Sequence, residues 1–337
     1  MSQAVERAPL LVTGAAGFIG ARFVESCNAR GTPLVSVDQA SHFETRRELA
    51  GLRFGRIVDR GELFTWLRRE RPEIASVVHL GACSSTTETR IELLNELNVE
   101  YSKRLWTWAS ETRTPMVWAS SAATYGDGQQ GFEDDESRMA KLEPLNPYGR
   151  SKLDFDLWVL EQEREGRTPP SWAGFKFFNV YGFGERHKGA QASVVVHAFD
   201  QITRTGRVRL FRSHRPDVAD GEQRRDFVFV EDVVDVLQFA LAAPITRGIF
   251  NLGTGHARSF RDLARAVFAA LGRPEDVEWV PTPEALRENY QYFTEARMER
   301  LRAEGWDAPA TGLEEGVRRT VRRLLAARDA APGAEPW

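Results

Sequence analysis

The feature that most constrains the fold of this chain is a set of three glycines, Gly14, Gly17 and Gly20. They follow an apolar run at residues 9–13 and precede an amphipathic stretch, which predicts a strand, a turn and a helix. The first glycine permits the tight turn, the second lets the backbone approach a pyrophosphate, and the third lets the helix pack on the strand. The spacing is GxxGxxG rather than GxGxxG, and close packing alone would also account for it. The turn therefore predicts a dinucleotide site only together with its surroundings.

Further apolar runs alternate with helical patterns after this turn. They lie at residues 33–38, 76–80 and 116–120, and less regular runs follow at residues 174–180 and 226–230. Strands that alternate with helices form parallel crossovers, so we predict an α/β fold with a doubly wound parallel sheet.

The domain organisation is predicted to be interleaved, because the sequence contains no internal repeat and no low-complexity linker. We predict a dinucleotide-binding domain at residues 1–178 that also receives about residues 226–255. A smaller, discontinuous substrate-binding domain takes residues 179–225 and 256–325, and residues 326–337 form a frayed tail.

Composition excludes several classes of protein. The 45 basic residues are balanced by 48 acidic residues, whereas a nucleic-acid-binding protein shows a concentrated basic surplus. Two cysteines are too few for a secreted disulfide framework, and no histidine or cysteine cluster has metal-ligand spacing, so we predict no metal. No apolar run approaches the length of a membrane span, and the first residues lack the apolar stretch of a signal peptide. We therefore expect a cytoplasmic protein with no membrane partner.

Residues beyond the second predicted strand bear on the choice of dinucleotide. Asp38 stands 18 residues after Gly20 at a strand end, where an acidic residue contacts the adenosine ribose of NAD. Arg46 and Arg47 follow, and either guanidinium could instead pair with the 2′-phosphate of NADP. A solvated loop would account for the two arginines equally well, so these residues leave both dinucleotides open.

A tyrosine and a lysine four residues apart form the candidate catalytic pair. Tyr148 and Lys152 share one face of a helix, and Lys152 is one of only five lysines in the chain. A lysine beside a phenol stabilises phenolate, so we predict a lowered pKa for Tyr148, as a general acid/base for a carbinol requires. Ser121 follows a strand and can contact the reacting oxygen. YxxxK alone is common, but the glycine turn, the serine and this pair in one order predict an enzyme.

Two helix starts are predicted towards the C-terminus. Ser259 precedes apolar residues at helical spacing, and Gly272 closes that helix. Thr311 with Glu314 has the spacing of a capping box for the last helix, whose arginines at residues 318–323 we expect on a solvated face.

The motifs in this order resemble the extended short-chain dehydrogenase/reductase superfamily, whose members oxidise and reduce nucleotide sugars. Six segments carry a narrower pattern, and they read GACSSTTE, SSAATYG, FNVYG, HKGAQASV, RDFVFV and FNLGTG from residues 81, 120, 178, 187, 225 and 250. Together they resemble the ADP-glyceromanno-heptose 6-epimerase family over about residues 9–325. The segment at residue 187 is the most discriminating, because epimerases that act at C4 of a sugar ring do not usually carry it.

The resemblance implies a Rossmann-type sheet with a smaller α/β domain, and a homo-oligomer that epimerises the heptose of ADP-heptose at C6 for the lipopolysaccharide core. It favours NADP as the cofactor, with NAD still possible. Inversion through a transient carbonyl requires hydride to leave one face and return to the other, so a tightly held nicotinamide must store it. A second acid/base would then stand opposite Tyr148. Lys188 is the candidate, although it would serve equally as a lysine that only positions phosphate or nicotinamide.

The resemblance also implies site residues. The catalytic residues are Tyr148, Lys188, Ser121 and Lys152. The cofactor-binding residues are Gly14, Gly17, Phe18, Ile19, Gly20, Asp38, Gln39, Arg46, Leu80, Gly81, Ala82, Cys83, Ser84, Asn98, Lys152, Val180 and Lys188. The substrate-binding residues are Asn179, Ala190, His197, Phe211, Arg212, Ser213, Arg225 and Tyr290. Arg225 is assigned to the substrate pyrophosphate, and Phe211 is assigned either to the adenine or to core packing.

The chain departs from the family at Ala190, where serine is frequent. The charged loop at residues 213–224 is expected near the substrate nucleotide.

The alternative functions are those of another nucleotide-sugar enzyme, such as a C4-epimerase or a dehydratase, and of a dinucleotide sensor without catalysis. A dehydratase needs acidic residues where this chain has Ala122 and Ala123, and a sensor would be expected to lose Tyr148 or its lysine.

Overall fold

A computed structural model describes residues 7–243, 245–287 and 290–330 of the protein. Seven parallel strands form a central sheet, a three-stranded sheet lies beside it, and two further strands form a parallel pair. Within the described residues the strands are β1 Leu10–Thr13, β2 Leu34–Asp38, β3 Arg56–Asp59, β4 Ser76–His79, β5 Met116–Ser121, β6 Trp172–Phe177, β7 Asn179–Tyr181, β8 Val208–Phe211, β9 Arg224–Phe229, β10 Arg247–Leu252, β11 Ala257–Ser259 and β12 Val277–Val280.

Helices flank the central sheet. They are α1 Phe18–Ala29, α2 Ala40–Thr45, α3 Leu63–Glu70, α4 Ile91–Leu94, α5 Tyr101–Glu111, α6 Pro147–Arg164, α7 Val194–Thr205, α8 Val230–Ala242, α9 Phe260–Ala270, α10 Glu284–Arg287, α11 Glu299–Ala303 and α12 Leu313–Asp329. A π-helical segment at Asn95–Glu100 joins α4 to α5. None of the described helices combines the length and the apolar character that crossing a lipid bilayer requires.

The predicted doubly wound parallel sheet is confirmed. The central sheet has the strand order β10-β6-β5-β4-β1-β2-β3, so β1 has β2 on one side and β4 on the other. The strand predicted at residues 174–180 is two strands in the structure. The break falls at Phe178, where the chain leaves the central sheet and β7 pairs with β9 instead.

The segment at residues 226–255 is divided between the sheets. Strand β9 belongs to the three-stranded sheet β11-β9-β7, and only β10 joins the central sheet. Asp226 of β9 is fully buried and accepts hydrogen bonds from the backbone N–H groups of Thr254, Gly255 and Ala296. Its carboxylate thus ties β9 to the loop that follows β10. The predicted domain boundaries stay a prediction.

Two apolar clusters make up most of the core. The larger lies around the central sheet and includes Val12, Val78, Trp118 and Phe175. The smaller joins α7, α9 and α12 to the three-stranded sheet. The cavity described below opens where the two clusters meet, and Phe18, Ile19 and Val180 pack at that boundary.

A buried ion pair fixes helix α6 against the central sheet. Lys176 on β6 and Asp156 on α6 are both fully buried, with 2.9 Å between Nζ and Oδ2. Asp156 also accepts from the Ser120 hydroxyl at 2.5 Å and from the Trp118 indole at 3.2 Å, and Lys176 donates to the Thr124 hydroxyl at 2.8 Å. Because every buried polar group in this cluster has a partner, the cluster sets the position of α6 relative to β5 and β6.

The two predicted helix caps have different outcomes. Ser259 caps α9 in a capping box with Asp262, and the helix ends before Gly272, whose φ is +64°. The capping box of Thr311 with Glu314 is wrong, since α12 begins after Gly312 without a side-chain cap. Thr311 instead donates from both its backbone N–H and its hydroxyl to the Asp232 carboxylate, at 2.8 and 2.6 Å.

The last helix is more firmly packed than the sequence predicts. Arg319 pairs with Glu231 of α8, and Arg323 pairs with Glu25 of α1 at 2.9 Å, so only part of the arginine face is solvated. The helix continues to Asp329, past the predicted start of the tail at residue 326, and residues 331–337 lie outside the described residues.

The buried ion pair predicts a large asymmetry between two lysine variants. Lys176→Met should lower the free energy of unfolding by about 3–5 kcal/mol, because it leaves the Asp156 charge buried without its partner. Lys103→Met removes a partly exposed pair with Glu100 and should cost less than about 1 kcal/mol. Denaturant unfolding measures both values. The paired change Lys176→Met with Asp156→Leu should recover most of the loss, and equal losses for the two single lysine variants would contradict the role given to the pair.

Candidate active site

A cavity of about 870 Å³ opens at the carboxyl ends of β1, β2, β4, β5 and β6. Its lining begins with Thr13, Asp38, Leu80, Ser121 and Phe177, which stand at or just after these strand ends. In an open α/β sheet, ligands bind at the carboxyl edge where the strand order reverses, and here that reversal lies between β1 and β4. The opposite wall comes from residues 185–194 and from three side chains, Arg225, Phe260 and Tyr290.

The glycine turn forms one end of the cavity floor. Gly14 has a φ of +68°, and a Cβ there would lie 2.7 Å from the backbone nitrogen of Gly81. A Cβ at Gly20 would collide with the carbonyl oxygen of Gly14, so the turn and the helix can approach this closely only as glycines. Helix α1 begins at Phe18 without a side-chain cap, which leaves the amides of its first turn available to an anion.

Asp38 lines the cavity, and its carboxylate is held by contacts within the protein. Its Oδ2 accepts from the backbone N–H of Ala16 at 3.1 Å, and its Oδ1 accepts from the N–H of Gln39 at 2.8 Å. Nδ1 of His42 lies 2.9 Å from the same Oδ1. These contacts fix the carboxylate at the end of β2 and give it an adjacent cationic partner when His42 is protonated.

Basic side chains surround Asp38 at the cavity edge. Arg46 donates to the carbonyl oxygen of Ala16 at 2.7 Å and lines the cavity together with His42 and Arg60. Burial lowers the pKa of Arg46, while the charge of Asp38 raises it. Arg47 is not among the lining residues, so of the two predicted arginines only Arg46 reaches the site.

His79 supports the floor from below. Its ring lies 2.6 Å from the Thr13 hydroxyl and 2.8 Å from the Ser102 hydroxyl, and Thr13 in turn accepts from the N–H of Gly81 at 3.1 Å. Burial lowers the pKa of His79 to about 3, with a further lowering by the charge of Lys152. The imidazole is therefore neutral and joins the ends of β1 and β4.

Asn98 holds the loop that follows β4. It comes from the π-helical segment, and its Oδ1 accepts from the N–H of Cys83 at 2.8 Å while its Nδ2 donates to the carbonyl oxygen of Cys83 at 3.0 Å. The same Nδ2 donates to the Ser151 hydroxyl at 2.9 Å. Asn98 is buried and does not line the cavity. Its side chain thus positions the Cys83 loop against α6, which fits the frequent placement of π-bulges at functional sites.

Tyr148 and Lys152 both line the cavity from α6, next to Ser121. The predicted lowering of the Tyr148 pKa is wrong for this structure. Burial raises the pKa of Tyr148, and the hydrogen bond with Ser121 opposes that rise. Lys152 donates to the carbonyl oxygen of Ala119 at 2.8 Å, and burial lowers its own pKa to about 8. The phenol is therefore protonated at neutral pH, with a hydroxyl beside it and a cation four residues away.

Lys188 reaches the cavity from the opposite wall. It lies in a short helical segment at Arg186–Gln191, with 3.4 Å between its Nζ and the Oε2 of Glu185. Glu185 is fully buried and also accepts from the N–H and the hydroxyl of Ser193, at 2.9 and 2.6 Å. The Lys188 ammonium stands 5.4 Å from the ring centroid of Phe18, the first residue of α1. The lysine is therefore aimed across the glycine turn.

Arg225 lies at the far end of the cavity and is 7% exposed. It donates to the carbonyl oxygens of Arg224 and Gln291, and its guanidinium stands 5.5 Å from the ring centroid of Tyr290. No acidic partner pairs with it within residues 7–243, 245–287 and 290–330. Burial lowers its pKa to about 10. A buried guanidinium on a cavity wall is suited to binding an anionic ligand.

The part of the chain that the structure describes places no three histidine, cysteine, aspartate or glutamate side chains where they could hold a metal ion.

A family model for the NAD dependent epimerase/dehydratase family matches residues 10–253. The chain belongs to this family. The ADP-L-glycero-D-manno-heptose-6-epimerase of Nitratidesulfovibrio vulgaris (strain DP4) is 47% identical to it over 322 residues, 95% of this chain and 98% of that protein. The family resemblance that the motifs predict is thus confirmed.

Solved structures agree with this relationship. The ADP-L-glycero-D-manno-heptose-6-epimerase of Helicobacter pylori is 26% identical to this chain, with a TM-score of 0.79 over 95% of this chain and 97% of that one. The UDP-glucose 4-epimerase of Thermus thermophilus, in complex with NAD, is 27% identical, with a TM-score of 0.73 over 95% and 99% of the two chains.

A nicotinamide dinucleotide, which the family name implies, fits the residues that line the cavity. The cradle of Gly14 and Gly20 has no room for side chains, and the uncapped start of α1 suits a pyrophosphate. Asp38 and Arg46 would hold the adenosine part, and the loop at residues 80–84 would hold the nicotinamide part near Tyr148 and Lys152.

The predicted site residues fall into two groups, those that line the cavity and those that do not. Those that line the cavity are Gly14, Gly17, Phe18, Ile19, Gly20, Asp38, Arg46, Leu80, Gly81, Ala82, Cys83, Ser84, Ser121, Tyr148, Lys152, Asn179, Val180, Lys188, Arg225 and Tyr290. Those that do not are Gln39, Asn98, Ala190, His197, Phe211, Arg212 and Ser213. The ligand contacts assigned to both groups stay predictions.

Three of the residues outside the lining flank its far end. Phe211 closes β8 and is 37% exposed, and Arg212 is 3.7 Å from Asp220 within the charged loop. The Ser213 hydroxyl is 3.2 Å from that of Tyr292, whose ring packs 5.4 Å from the ring of Tyr290. The loop at residues 213–224 therefore reaches the cavity through an aromatic pair rather than directly.

Sequence reasoning missed Glu185, His187 and Arg60 as lining residues. Glu185 lies two residues before the discriminating segment and His187 is its first residue, so their position was a usable signal. Arg60 follows β3, and only the parallel pairing of β2 with β3 brings it to the cavity edge.

The buried histidine predicts how stability varies in acid. The unfolded chain binds a proton at His79 below about pH 6.5, whereas the folded chain binds it only near pH 3. The stability contributed by the neutral ring is therefore lost as pH falls through this window, at about 1.4 kcal/mol per pH unit. His79→Gln should flatten the pH dependence of the unfolding free energy by that amount, measured by denaturant unfolding between pH 4 and about pH 6.5.

His256→Gln is the matched control, because His256 is exposed and should leave the slope unchanged. The same slope in the wild type and in both variants would show that His79 is not the group that titrates on unfolding.

Proposed function

We propose that this protein is an ADP-glyceromanno-heptose 6-epimerase, which interconverts ADP-D-glycero-β-D-manno-heptose and ADP-L-glycero-β-D-manno-heptose. The observation that carries the proposal is that Tyr148 of α6 and Lys188 of the segment Arg186–Gln191 line one cavity, in a chain closely related to heptose epimerases. Epimerisation at C6 requires a proton to be handled at the same oxygen for two configurations of the carbon, and two separate acid/base groups satisfy that requirement.

The chemistry divides between hydride and proton. Oxidation removes a hydride from C6 and a proton from its hydroxyl, and reduction from the other face returns both. The bound nicotinamide dinucleotide supplies hydride acceptance and donation. Tyr148 exchanges the hydroxyl proton for one epimer, and Ser121 hydrogen-bonds to the same oxygen. Lys188, oriented by Glu185, exchanges the proton for the other epimer. Lys152 stabilises negative charge on the Tyr148 oxygen when the phenol gives up its proton.

Arg225 would bind the diphosphate of the nucleotide sugar. Its buried guanidinium can form two parallel hydrogen bonds to phosphate oxygens, and the nearby Tyr290 ring offers a face for the sugar or base. Asn179 also lines this end of the cavity, 3.5 Å from the hydroxyl of Thr294.

The alternatives are less well supported. Ala122 and Ala123 line the cavity where a dehydratase needs acidic residues, so water elimination has no acid or base at that position. A sensor without catalysis would have no need of Tyr148 and Lys152 at the cavity wall. A C4-epimerase shares the same fold, as the Thermus thermophilus structure illustrates. Turnover of both ADP-heptose epimers but of no UDP-hexose separates the proposal from that alternative.

We also propose that the dinucleotide is NADP and that the protein is a homo-oligomer. Asp38 accepts hydrogen bonds from two backbone N–H groups and contacts His42, and these polar partners offset part of its negative charge at the cavity edge. Arg46 and Arg60 line the cavity edge beside it and supply positive charge for a 2′-phosphate. The homo-oligomer rests on the family resemblance alone, and analytical ultracentrifugation tests it.

The two-base mechanism predicts matched losses of activity. Tyr148→Phe and Lys188→Met should each lower kcat for epimerisation by about 10²–10⁴-fold, the usual contribution of a general acid or base. Neither change should alter the unfolding transition, since both side chains line a cavity. Lys141→Met, at an exposed lysine, is the control and should retain full activity. Conversion of one purified epimer to the other, followed by chromatography, gives the rates.

A wild-type rate for Lys188→Met would leave Lys188 as a binding residue and remove the second base. An ADP-hexose with an aldehyde at C6 separates hydride transfer from inversion, because two such molecules and one water give one acid and one alcohol. Loss of this dismutation in every variant would indicate failed hydride transfer rather than failed proton exchange.

The dinucleotide proposal predicts the ligand released on denaturation. Mass spectrometry of the released dinucleotide should identify NADP, and Arg46→Ala should shift the ratio of NADP to NAD affinities towards NAD by about tenfold, the typical effect of losing a hydrogen bond to a charged group. Arg47→Ala is the matched control and should leave the ratio unchanged. Release of NAD alone from the wild type, or the same shift in both variants, would contradict the assignment.

A further inference from the structure

The segment Arg186–Gln191, here called the strap, is attached on both sides of the cavity. Its residues His187, Lys188 and Gln191 line the cavity, opposite the glycine turn. Ala192 follows the strap with an extended backbone. Gly189 within the strap has a φ of +53°, which interrupts the helical geometry. Nothing in the two-base mechanism accounts for the attachments.

The first attachment joins the strap to the adenosine side. His187 Nδ1 lies 2.6 Å from Oε1 of Glu48, and both side chains are largely buried. Glu48 belongs to the helical turn Arg47–Leu49, directly after the cavity-lining Arg46. Burial raises the pKa of Glu48, but the hydrogen bond from His187, the charge of His187 and backbone hydrogen bonds together lower that pKa overall, so the contact is to a charged carboxylate.

The second attachment joins the strap to the nicotinamide side. The Gln191 amide nitrogen donates to the hydroxyl of Thr87 at 3.1 Å, and the Thr86 hydroxyl donates to the amide oxygen at 3.4 Å. Both threonines follow the loop at residues 80–85, which lines the cavity from β4 towards Tyr148.

Between the two attachments, Lys188 stands over the start of α1. Its ammonium is 5.4 Å from the Phe18 ring, and buried Glu185 anchors the base of the strap through Ser193 and the N–H of Gly182. The strap therefore spans the cleft above the turn that is shaped for a pyrophosphate.

We propose that the strap retains the dinucleotide, with Glu48, His187 and Gln191 as positioning residues that hold it across the cleft. This inference rests on the proposed function, in which the hydride removed from one face of C6 must stay bound until it returns to the other face. Opening of either attachment frees one side of the strap, so the attachments set how often the dinucleotide escapes. They also keep Lys188 directed at the cavity.

Release of the dinucleotide tests this directly. The purified holoenzyme is first loaded with reduced dinucleotide. An excess of oxidised dinucleotide is then added, and the loss of fluorescence from the bound reduced nicotinamide gives the release rate. His187→Ala and Gln191→Ala should each speed release by about tenfold, and together by about a hundredfold, since the two attachments share no partner and their effects multiply. His187→Asn keeps a donor near the position of Nδ1 and should restore slow release.

Two controls separate the strap from general loosening. Glu315→Ala breaks an exposed pair with Arg318 on α12 and should leave the release rate unchanged. Lys188→Met removes the ammonium without touching either attachment, so it should lower epimerisation while release stays slower than in the combined His187→Ala and Gln191→Ala variant. Faster release with unchanged unfolding free energy supports retention by the strap.

Release as slow in His187→Ala and Gln191→Ala as in the wild type would overturn the strap while leaving the proposed function intact. Equal acceleration in His187→Ala and His187→Asn would overturn the role of the contact with Glu48. A wild-type protein that binds no dinucleotide at all would overturn the proposed function itself, which is a different result.

Discussion

The cavity exists because strands are added to the sheet in two directions from β1. The chain first places β2 and β3 on one side of β1 and then begins again with β4 on the other side. Successive connections therefore diverge at the carboxyl edge, and no crossover fills the space between them. The contact that closes this space from below is the approach of Gly14 to Gly81, across which no Cβ fits. Substitutions in this floor would separate β1 from β4 before they touched any ligand.

Lysine and arginine have different uses in this chain. Three of the five lysines, Lys152, Lys176 and Lys188, belong to the cavity wall or to the buried cluster behind it. Most arginines form ion pairs at the surface or between helices, as Arg323 does with Glu25. An ammonium is a compact charge whose pKa responds to burial, whereas a guanidinium stays charged, so the division matches what each position requires. Arg225 differs from these paired arginines, as a buried charge on the cavity wall.

Local signals in the sequence were sufficient for the sheet, the glycine turn and the cap at Ser259, because each depends on residues close together in the chain. Features set by distant residues were not accessible. Thr311 has the spacing of a capping box, yet Asp232 from another helix binds it more fully. The pKa of Tyr148 was predicted in the wrong direction, because burial by several elements outweighs its spacing from Lys152. Glu48 and His187 are 139 residues apart, and no pattern links them.

Asp226 has a mechanical consequence. Its carboxylate draws the loop after β10 and residue 296 onto β9, while Phe178 joins β6 to β7 without an intervening linker. The central sheet and the three-stranded sheet are thus joined by short connections and by buried hydrogen bonds. Rotation of one sheet against the other would break these buried hydrogen bonds at once, which makes hinge opening costly. We therefore expect ligand exchange to depend on segments outside these β-ladders, whose movement breaks fewer buried hydrogen bonds.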